Sequence, residues 1–257
     1  MGRLEGKKVF ITGATAGIGK SCAIKFANEK ARLILMVRNE EKGKKLVEEI
    51  NVKYPKVDVT LLIGDVRDGK VCEELVNSLP EDLKDIDVLI NNAGLAKGLN
   101  KVYENSIEDI NTMIDTNIKG LLFVTRAIVP FMVKYNKGHI INLGSVAGVH
   151  AYAGGGVYCA TKAAVKFISD ALRLELIETP VKVTNIQPGI VETDFSLTRF
   201  NGDIERAKNV YKGIEALTPD DIADIIVSTV SYPDRVQISE VTIVAQNQAD
   251  SRAIFKK

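Results

Sequence analysis

The chain of 257 residues contains no tryptophan, two histidines and three cysteines. With only His139 and His150 available, no cluster has the make-up of a zinc site. Cys22, Cys72 and Cys159 are odd in number, widely separated and form no Cys-x-x-Cys, which suits a reducing compartment rather than a disulfide framework. Neither sign of charge is in excess: 34 Lys and Arg face 33 Asp and Glu, so there is no basic field to attract nucleic acid. The opening residues Met1–Gly6 have no apolar signal core, and Gly6 stands where a myristoylation signal has Ser or Thr. No run reads as a membrane span. A small-molecule partner and a cytoplasmic location are the expectations that remain.

What is present is alternation. Short β-branched runs at Lys8–Ile11, Arg32–Val37, Val57–Ile63, Val88–Ile90, His139–Leu143, Val181–Ile186 and Val241–Val244 alternate with amphipathic stretches of helical period. Those stretches are Gly17–Glu29, Glu40–Lys53, Gly69–Leu79, Ile107–Lys134, Val157–Ile177 and Pro219–Val230. Repeated βαβ units predict an α/β fold, a Rossmann-type doubly wound parallel sheet of about seven strands, as a single domain over 1–257. Asn117 and Gly120 fall in the middle of Ile107–Lys134, and both are poor helix-interior residues. A kink or break is expected near Asn117.

The first strand runs into Thr12-Gly13-Ala14-Thr15-Ala16-Gly17-Ile18-Gly19 and then a helix. Glycines there let backbone N–H groups and the helix N-terminus approach a pyrophosphate. A rival reading takes Ala14 to Ser21 as a relaxed phosphate-binding loop with Lys20 on phosphate and Ser21 on magnesium, but its first glycine is missing. At the end of the second strand stands Arg38, followed by Asn39, which reads as an N-cap ahead of Glu40 and Glu41. A base in that place accommodates a ribose 2′-phosphate, so NADP(H) is expected over NAD(H).

Tyr158 and Lys162 lie four residues apart in a helical segment, where a cation can favour the ionised phenol. Gly144-Ser145-Val146-Ala147-Gly148 invites a hydrolase reading, but glycine directly precedes the serine, unlike Gly-x-Ser-x-Gly, and His150 has no supporting acid pattern. Taken singly, Asp65 and Asn92 read as loop caps, and Cys159 as a packing residue.

Together, Thr12-Gly13-x-x-x-Gly17-Ile18-Gly19, Asp65-Val66, Asn91-Asn92-Ala93-Gly94, Asn117, Ser145, Tyr158-x-x-x-Lys162 and Pro188-Gly189 resemble the short-chain dehydrogenase/reductase family over essentially the whole chain. The resemblance implies that Tyr158 is the general acid or base, with Lys162 on the nicotinamide ribose and lowering the tyrosine pKa. Ser145 would hold the substrate oxygen, and Asn117 a water relaying protons to Lys162. It further implies that Gly13, Thr15, Gly17, Ile18 and Gly19 cradle the cofactor, with Asp65 and Val66 beside the adenine. Asn92, Ala93 and Gly94 would line the cleft, while Pro188, Gly189, Val191 and Thr193 cover the nicotinamide.

The segment Glu192-Thr193-Asp194-Phe195-Ser196-Leu197-x-Arg199-Phe200, with Gln246-Asn247-Gln248-Ala249, is similar to the NADP-dependent 3-hydroxy acid (serine or allo-threonine) dehydrogenases. Such substrates carry a carboxylate, for which Arg199 is the candidate ligand; a structural salt bridge is its alternative role. A broad carbonyl reductase for hydrophobic ketones and an NADP(H)-sensing scaffold are the competing functions. The family implies a homotetramer built on Ile107–Lys134 and Val157–Ile177.

Overall fold

Seven strands align in parallel in the order β3-β2-β1-β4-β5-β6-β7. They are β1 (Lys8–Thr12), β2 (Arg32–Val37), β3 (Val59–Ile63), β4 (Val88–Asn91), β5 (His139–Leu143), β6 (Lys182–Pro188) and β7 (Glu240–Ile243). The structure, a computed structural model, describes residues 4–256. Met1–Arg3, on which part of the N-terminal expectation rests, and Lys257 lie outside the described residues. The strands sit within two residues of their expected bounds, and the doubly wound parallel sheet is the one the alternation predicts.

Each sheet face is sealed by one layer of helices. One layer contains α1 (Gly17–Asn28), α2 (Glu40–Lys53) and α10 (Pro219–Val230), and its core includes Ile11, Phe26, Leu35, Ile90 and Ile226. Between β3 and β4 come α3 (Gly69–Asn77) and the single turn α4 (Glu81–Lys84). On the opposite face α3 joins α5 (Ile107–Ile114), α6 (Leu121–Lys134) and α7 (Gly156–Glu175), over Phe10, Ile34, Leu89 and Ile140. The strands are buried on both faces, so they read as continuous apolar runs rather than alternating ones.

Local chemistry sets the helix starts. Asn39 accepts from the Lys42 N–H at 2.8 Å with Glu40 and Glu41 in the first turn, as expected of a cap. Thr218 and Asp221 form a capping box, with Pro219 just inside α10. The break expected in Ile107–Lys134 is present as a π-helical turn over Asp115–Gly120, between α5 and α6. One expectation needs correction: Ile107–Lys134 is long and apolar enough to pass as a membrane span. Its apolarity is used against the sheet, where Val124, Ile128 and Met132 are buried.

Besides the single turn α4, two helices were absent from the periodicity reading: α8 (Phe195–Arg199) and α9 (Ile204–Tyr211). Both are too short for a period to show, although Asp203, which accepts from the Arg206 N–H at 3.0 Å, is a legible cap. They lie beyond the carboxyl end of β6, over the end of the sheet where the cleft opens.

Candidate active site

A cleft of about 720 Å³ opens at the carboxyl edge of the sheet. Parallel strands send their following loops to this edge, which is where open α/β sheets bind ligands. The cleft is lined by Gly13, Gly17 and Ile18, by Asn92, Ala93 and Gly94, and by Ser145, Tyr158 and Lys162. Pro188, Gly189, Val191, Thr193 and Arg199 also line it.

The glycine loop is shaped for a phosphate. Gly13 and Gly17 have φ of +64° and +51°, the left-handed region that favours glycine. A Cβ at Gly19 would strike the Gly13 carbonyl, so the helix starts hard against the turn. Ala16, the cap of α1, contributes no side-chain hydrogen bond, leaving first-turn N–H groups free to meet an anion. Asn92 clamps this loop, donating from Nδ2 to the carbonyls of Thr12 (2.9 Å) and Gly13 (3.1 Å). Thr12 Oγ1 in turn accepts from the N–H groups of Asn92 and Ala93, each at 3.0 Å. These residues fit a dinucleotide pyrophosphate. Lys20 and Ser21 do not point there: Lys20 pairs with Glu49 at 2.7 Å and Ser21 donates to Asp220 at 2.7 Å, so the phosphate-binding-loop alternative loses its two functional groups.

Arg38, Asp65, Val66, Thr15 and Gly19 lie outside the lining. Arg38 Nη1 is 3.9 Å from Asp65, and its side chain is largely exposed. Asp65 is gripped by Arg67 through Nε (3.0 Å) and Nη2 (2.6 Å). Burial raises the Asp65 carboxyl, but the Arg67 and Arg38 cations outweigh it and hold it below the usual range. Val66 is buried in the core against Gly120, where any larger residue would collide with it.

Asn117 also lies behind the cleft wall. Its Oδ1 accepts from the Leu95 N–H and its Nδ2 donates to the Leu95 carbonyl, both at 2.8 Å. A further bond from Nδ2 to Thr161 Oγ1 at 3.0 Å ties the loop after β4 to α7. A Cβ at Gly94 would come within 3.3 Å of Asn117 Oδ1 and 3.5 Å of Lys162 Nζ, so this glycine brings both groups to one spot.

Lys162 is 7% exposed and donates to the Leu143 carbonyl at 2.7 Å. Burial without a carboxylate partner lowers its pKa to about 8. Its Nζ lies 5.9 Å from the centroid of the Tyr158 ring. Burial pushes the Tyr158 phenol up to about 12; the strongest opposing influence is the Arg199 cation, with Ser145 adding a smaller one. The sequence reading gave that role to Lys162 and did not foresee Arg199 as the nearer electrostatic partner. Ser145 Oγ accepts from the Ala147 N–H at 3.1 Å and reaches the Pro188 carbonyl at 3.4 Å.

Arg199, on α8, stands over two rings, 5.1 Å from the Tyr158 centroid and 5.2 Å from that of Phe195. Its Nη2 donates to the Tyr152 hydroxyl at 2.9 Å, while its Nε is buried without a partner. No ion pair to Arg199 occurs among the described residues.

Sequence reasoning missed three further residues. The Tyr211 hydroxyl, on α9, gathers the Val191 and Thr193 carbonyls (both 3.3 Å) and Ser196 Oγ (2.7 Å), folding the lid onto the loop after β6. Gln248 Oε1 accepts from the Ile190 N–H at 2.9 Å in the same loop. Tyr152 holds Arg199. Tyr211 and Gln248 fall in segments that carry the family resemblance, Ala207–Lys212 and Gln246–Ala249, but nothing in those segments assigns them these roles, and no motif marks Tyr152.

A doubly wound sheet, a glycine turn at its first strand and a tyrosine–lysine pair beside the cleft define a dinucleotide-dependent oxidoreductase. The sequence profile described as short chain dehydrogenase matches residues 7–203. The chain belongs to the short-chain dehydrogenase family. It is 44% identical over 258 residues to the NADP-dependent 3-hydroxy acid dehydrogenase of Schizosaccharomyces pombe, covering 100% of this chain and 99% of that one. It is 39% identical to sulfoacetaldehyde reductase 2 of Chromohalobacter salexigens, covering 94% and 95% of the two chains. Among solved structures, the closed form of serine dehydrogenase complexed with NADP+ superposes with a TM-score of 0.90 at 42% identity, covering 94% and 96%.

Proposed function

We propose that this chain is an NADP(H)-dependent oxidoreductase that interconverts the 3-hydroxyl of a small 3-hydroxy acid and the corresponding carbonyl. The observation that carries the reading is Arg199: a guanidinium with a buried, unpartnered Nε, 5.1 Å from the Tyr158 ring and free of any carboxylate among the described residues. A cation so placed is a ready ligand for a substrate carboxylate. The substrates in the names of two relatives, a 3-hydroxy acid and sulfoacetaldehyde, each bear an anionic group, which favours this reading over a reductase of hydrophobic ketones.

When bound, the nicotinamide supplies or accepts the hydride. Tyr158 then donates a proton to the carbonyl oxygen in reduction and removes one from the hydroxyl in oxidation. Ser145 Oγ holds that oxygen, where charge develops. Lys162 carries positive charge below a pKa of about 8 and stabilises the ionised phenol together with Arg199. Asn117 fixes the loop after β4 beside Lys162, and a proton relay through a water at the Gly94 gap belongs to this proposal. Arg38 and Arg67, which together outnumber Asp65 in charge, form the pole for the 2′-phosphate.

Exposed apolar side chains support a homotetramer. Phe167, Leu174 and Ile177, along α7 and just beyond it, are 72%, 75% and 77% exposed. Sedimentation of a monomer at micromolar concentration contradicts that assembly. Three buried free thiols suit the cytoplasmic location.

The test is a spectrophotometric screen of NADP+ with L-serine, L-allo-threonine, 3-hydroxyisobutyrate and a neutral secondary alcohol. The acids are expected to reduce NADP+ and the neutral alcohol to lag well behind. Equal turnover of the alcohol assigns the chain to the carbonyl reductases, and no turnover of any makes it a binding scaffold.

A further inference from the structure

Arg199 is useful to an anion only if something holds it in place without cancelling its charge. Long cationic side chains lose substantial rotamer freedom when ordered, and a carboxylate partner would fix the guanidinium but neutralise it. Among the described residues, the one side chain that hydrogen-bonds Arg199 is Tyr152, which accepts from Nη2 at 2.9 Å. Burial raises the pKa of this phenol further above its ordinary range, against a smaller opposing influence from Arg199. At neutral pH Tyr152 is therefore an uncharged acceptor that orients the guanidinium and leaves its charge available.

Tyr152 is itself held by a second arginine. The guanidinium of Arg252, in the C-terminal segment, lies 4.4 Å from the centroid of the Tyr152 ring. Arg252 Nη2 donates to the Ala153 carbonyl at 2.9 Å, and Ser251 Oγ donates to the His150 carbonyl at 2.7 Å. The ring also needs room, which Gly155 provides, since a Cβ at that position would collide with Cε2 and Cζ of Tyr152. Gly155 caps α7, the helix that carries Tyr158 and Lys162, and its N–H donates to the Tyr152 carbonyl at 3.1 Å. The turn that starts the catalytic helix thus presents the phenol that positions Arg199.

We infer that Tyr152 is a positioning residue for substrate specificity: braced by Arg252, it orients Arg199 so that its guanidinium meets the anionic group of the substrate. The inference rests on the carboxylate reading of Arg199. The reported quantity is therefore the ratio of kcat/KM for 3-hydroxyisobutyrate to kcat/KM for its methyl ester, which has the same carbon skeleton without the charge.

Arg199→Ala is expected to lower this ratio about a hundredfold, and Tyr152→Phe about tenfold, chiefly through KM for the acid. In the Arg199→Ala background, Tyr152→Phe is expected to leave the ratio unchanged, because nothing remains to be oriented. An unchanged ratio in Tyr152→Phe, with Arg199→Ala still collapsing it, overturns the positioning role and spares the carboxylate reading. An equal fall in both backgrounds also overturns it, since Tyr152 then acts without Arg199. An unchanged ratio in Arg199→Ala defeats the carboxylate reading and the inference with it. Where Tyr152→Phe yields no folded protein, Arg252→Ala at an exposed position takes its place: a fall of about threefold is expected, and no change overturns the inference.

Discussion

The two edges of the sheet treat buried charge in opposite ways. At the amino edge, Asp87, with a side chain 8% exposed, accepts from Lys7 Nζ at 3.1 Å, Lys137 Nζ at 3.0 Å and the Lys8 N–H at 2.9 Å. Asp85 pairs with Lys8 at 2.6 Å and with Lys137 at 2.9 Å. At the carboxyl edge, among the described residues, Lys162 hydrogen-bonds only a carbonyl and the Arg199 side chain only a phenol. Asp65 at the carboxyl edge is paired with Arg67, but Lys162 and Arg199 there have no carboxylate partner among the described residues, unlike Lys7 and Lys137. Burial opposes the charged form of both lysines, yet Lys137 is raised by its two carboxylates while Lys162 is lowered to about 8. Burial also lowers His139 and Lys182 at the amino edge, so it is the position of Lys162 beside the cleft that makes its lowered pKa a mark of function.

The largest effect expected at the carboxyl edge comes from removing the proposed proton carrier. Tyr158→Phe should lower kcat about a thousandfold or more, with NADPH affinity, read by its fluorescence, changed far less. If the rate persisted, the comparison would lose its functional pole. Arg38→Asp should weaken NADPH binding about thirtyfold and NADH binding much less; equal loss for both cofactors removes the 2′-phosphate assignment.

The amino edge predicts a different signature. Asp87→Asn should destabilise the fold by about 2 kcal/mol in urea while leaving kcat near its original value, because two lysines lose their shared partner far from the cleft. Asp85 is held below the usual carboxylate range, since Lys8 and Lys137 outweigh the burial that raises it. Its stabilising contribution is therefore present above the unfolded pKa and disappears as pH falls through the lower folded one. A variant that lost activity but kept its stability would blur the two edges.

A smaller effect sharpens the role of Arg199. Cations favour the phenolate, and oxidation requires it, so Arg199→Ala should move the rising limb of the pH profile for alcohol oxidation toward higher pH. The neutral methyl ester is the right substrate for this measurement, because it separates the electrostatic influence on Tyr158 from carboxylate binding. An unmoved limb would mean that the guanidinium acts on substrate alone.

The sheet was legible because buried parallel strands and amphipathic helices differ in period, and the π turn because Asn117 and Gly120 sit where a helix resists them. The cleft residues of the glycine loop, Ser145, Tyr158 and Lys162 could be read because their chemistry requires local spacing. The contacts of Tyr152, Tyr211 and Gln248 could not. Their partners lie 47 residues away for Tyr152, 15 to 20 for Tyr211 and 58 for Gln248, and a hydrogen bond to a backbone group or a guanidinium imposes no residue pattern on the sequence. For Asn117 the sequence suggested a relay water, whereas in the structure its amide clamps Leu95 and Thr161, a contact that only the folded loop reveals.

The contrast between the edges is tested most directly by one stability measurement, urea unfolding at pH 7 of Lys162→Met and Lys137→Met beside the unaltered chain. The folded pKa of Lys162, about 8, lies below the ordinary ~10.4, so its charge costs the folded state about 3 kcal/mol at pH 7, relieved as pH rises through 8. Met keeps the length of the stem and forfeits one hydrogen bond worth about 1 kcal/mol, so Lys162→Met should be about 2 kcal/mol more stable. The raised pKa of Lys137 gives stability below its unfolded value that is lost only as pH rises through the folded one, so Lys137→Met should be less stable. Opposite signs are the predicted result; destabilisation of both variants alike would contradict the contrast between Lys137, held by carboxylates, and Lys162, which has none.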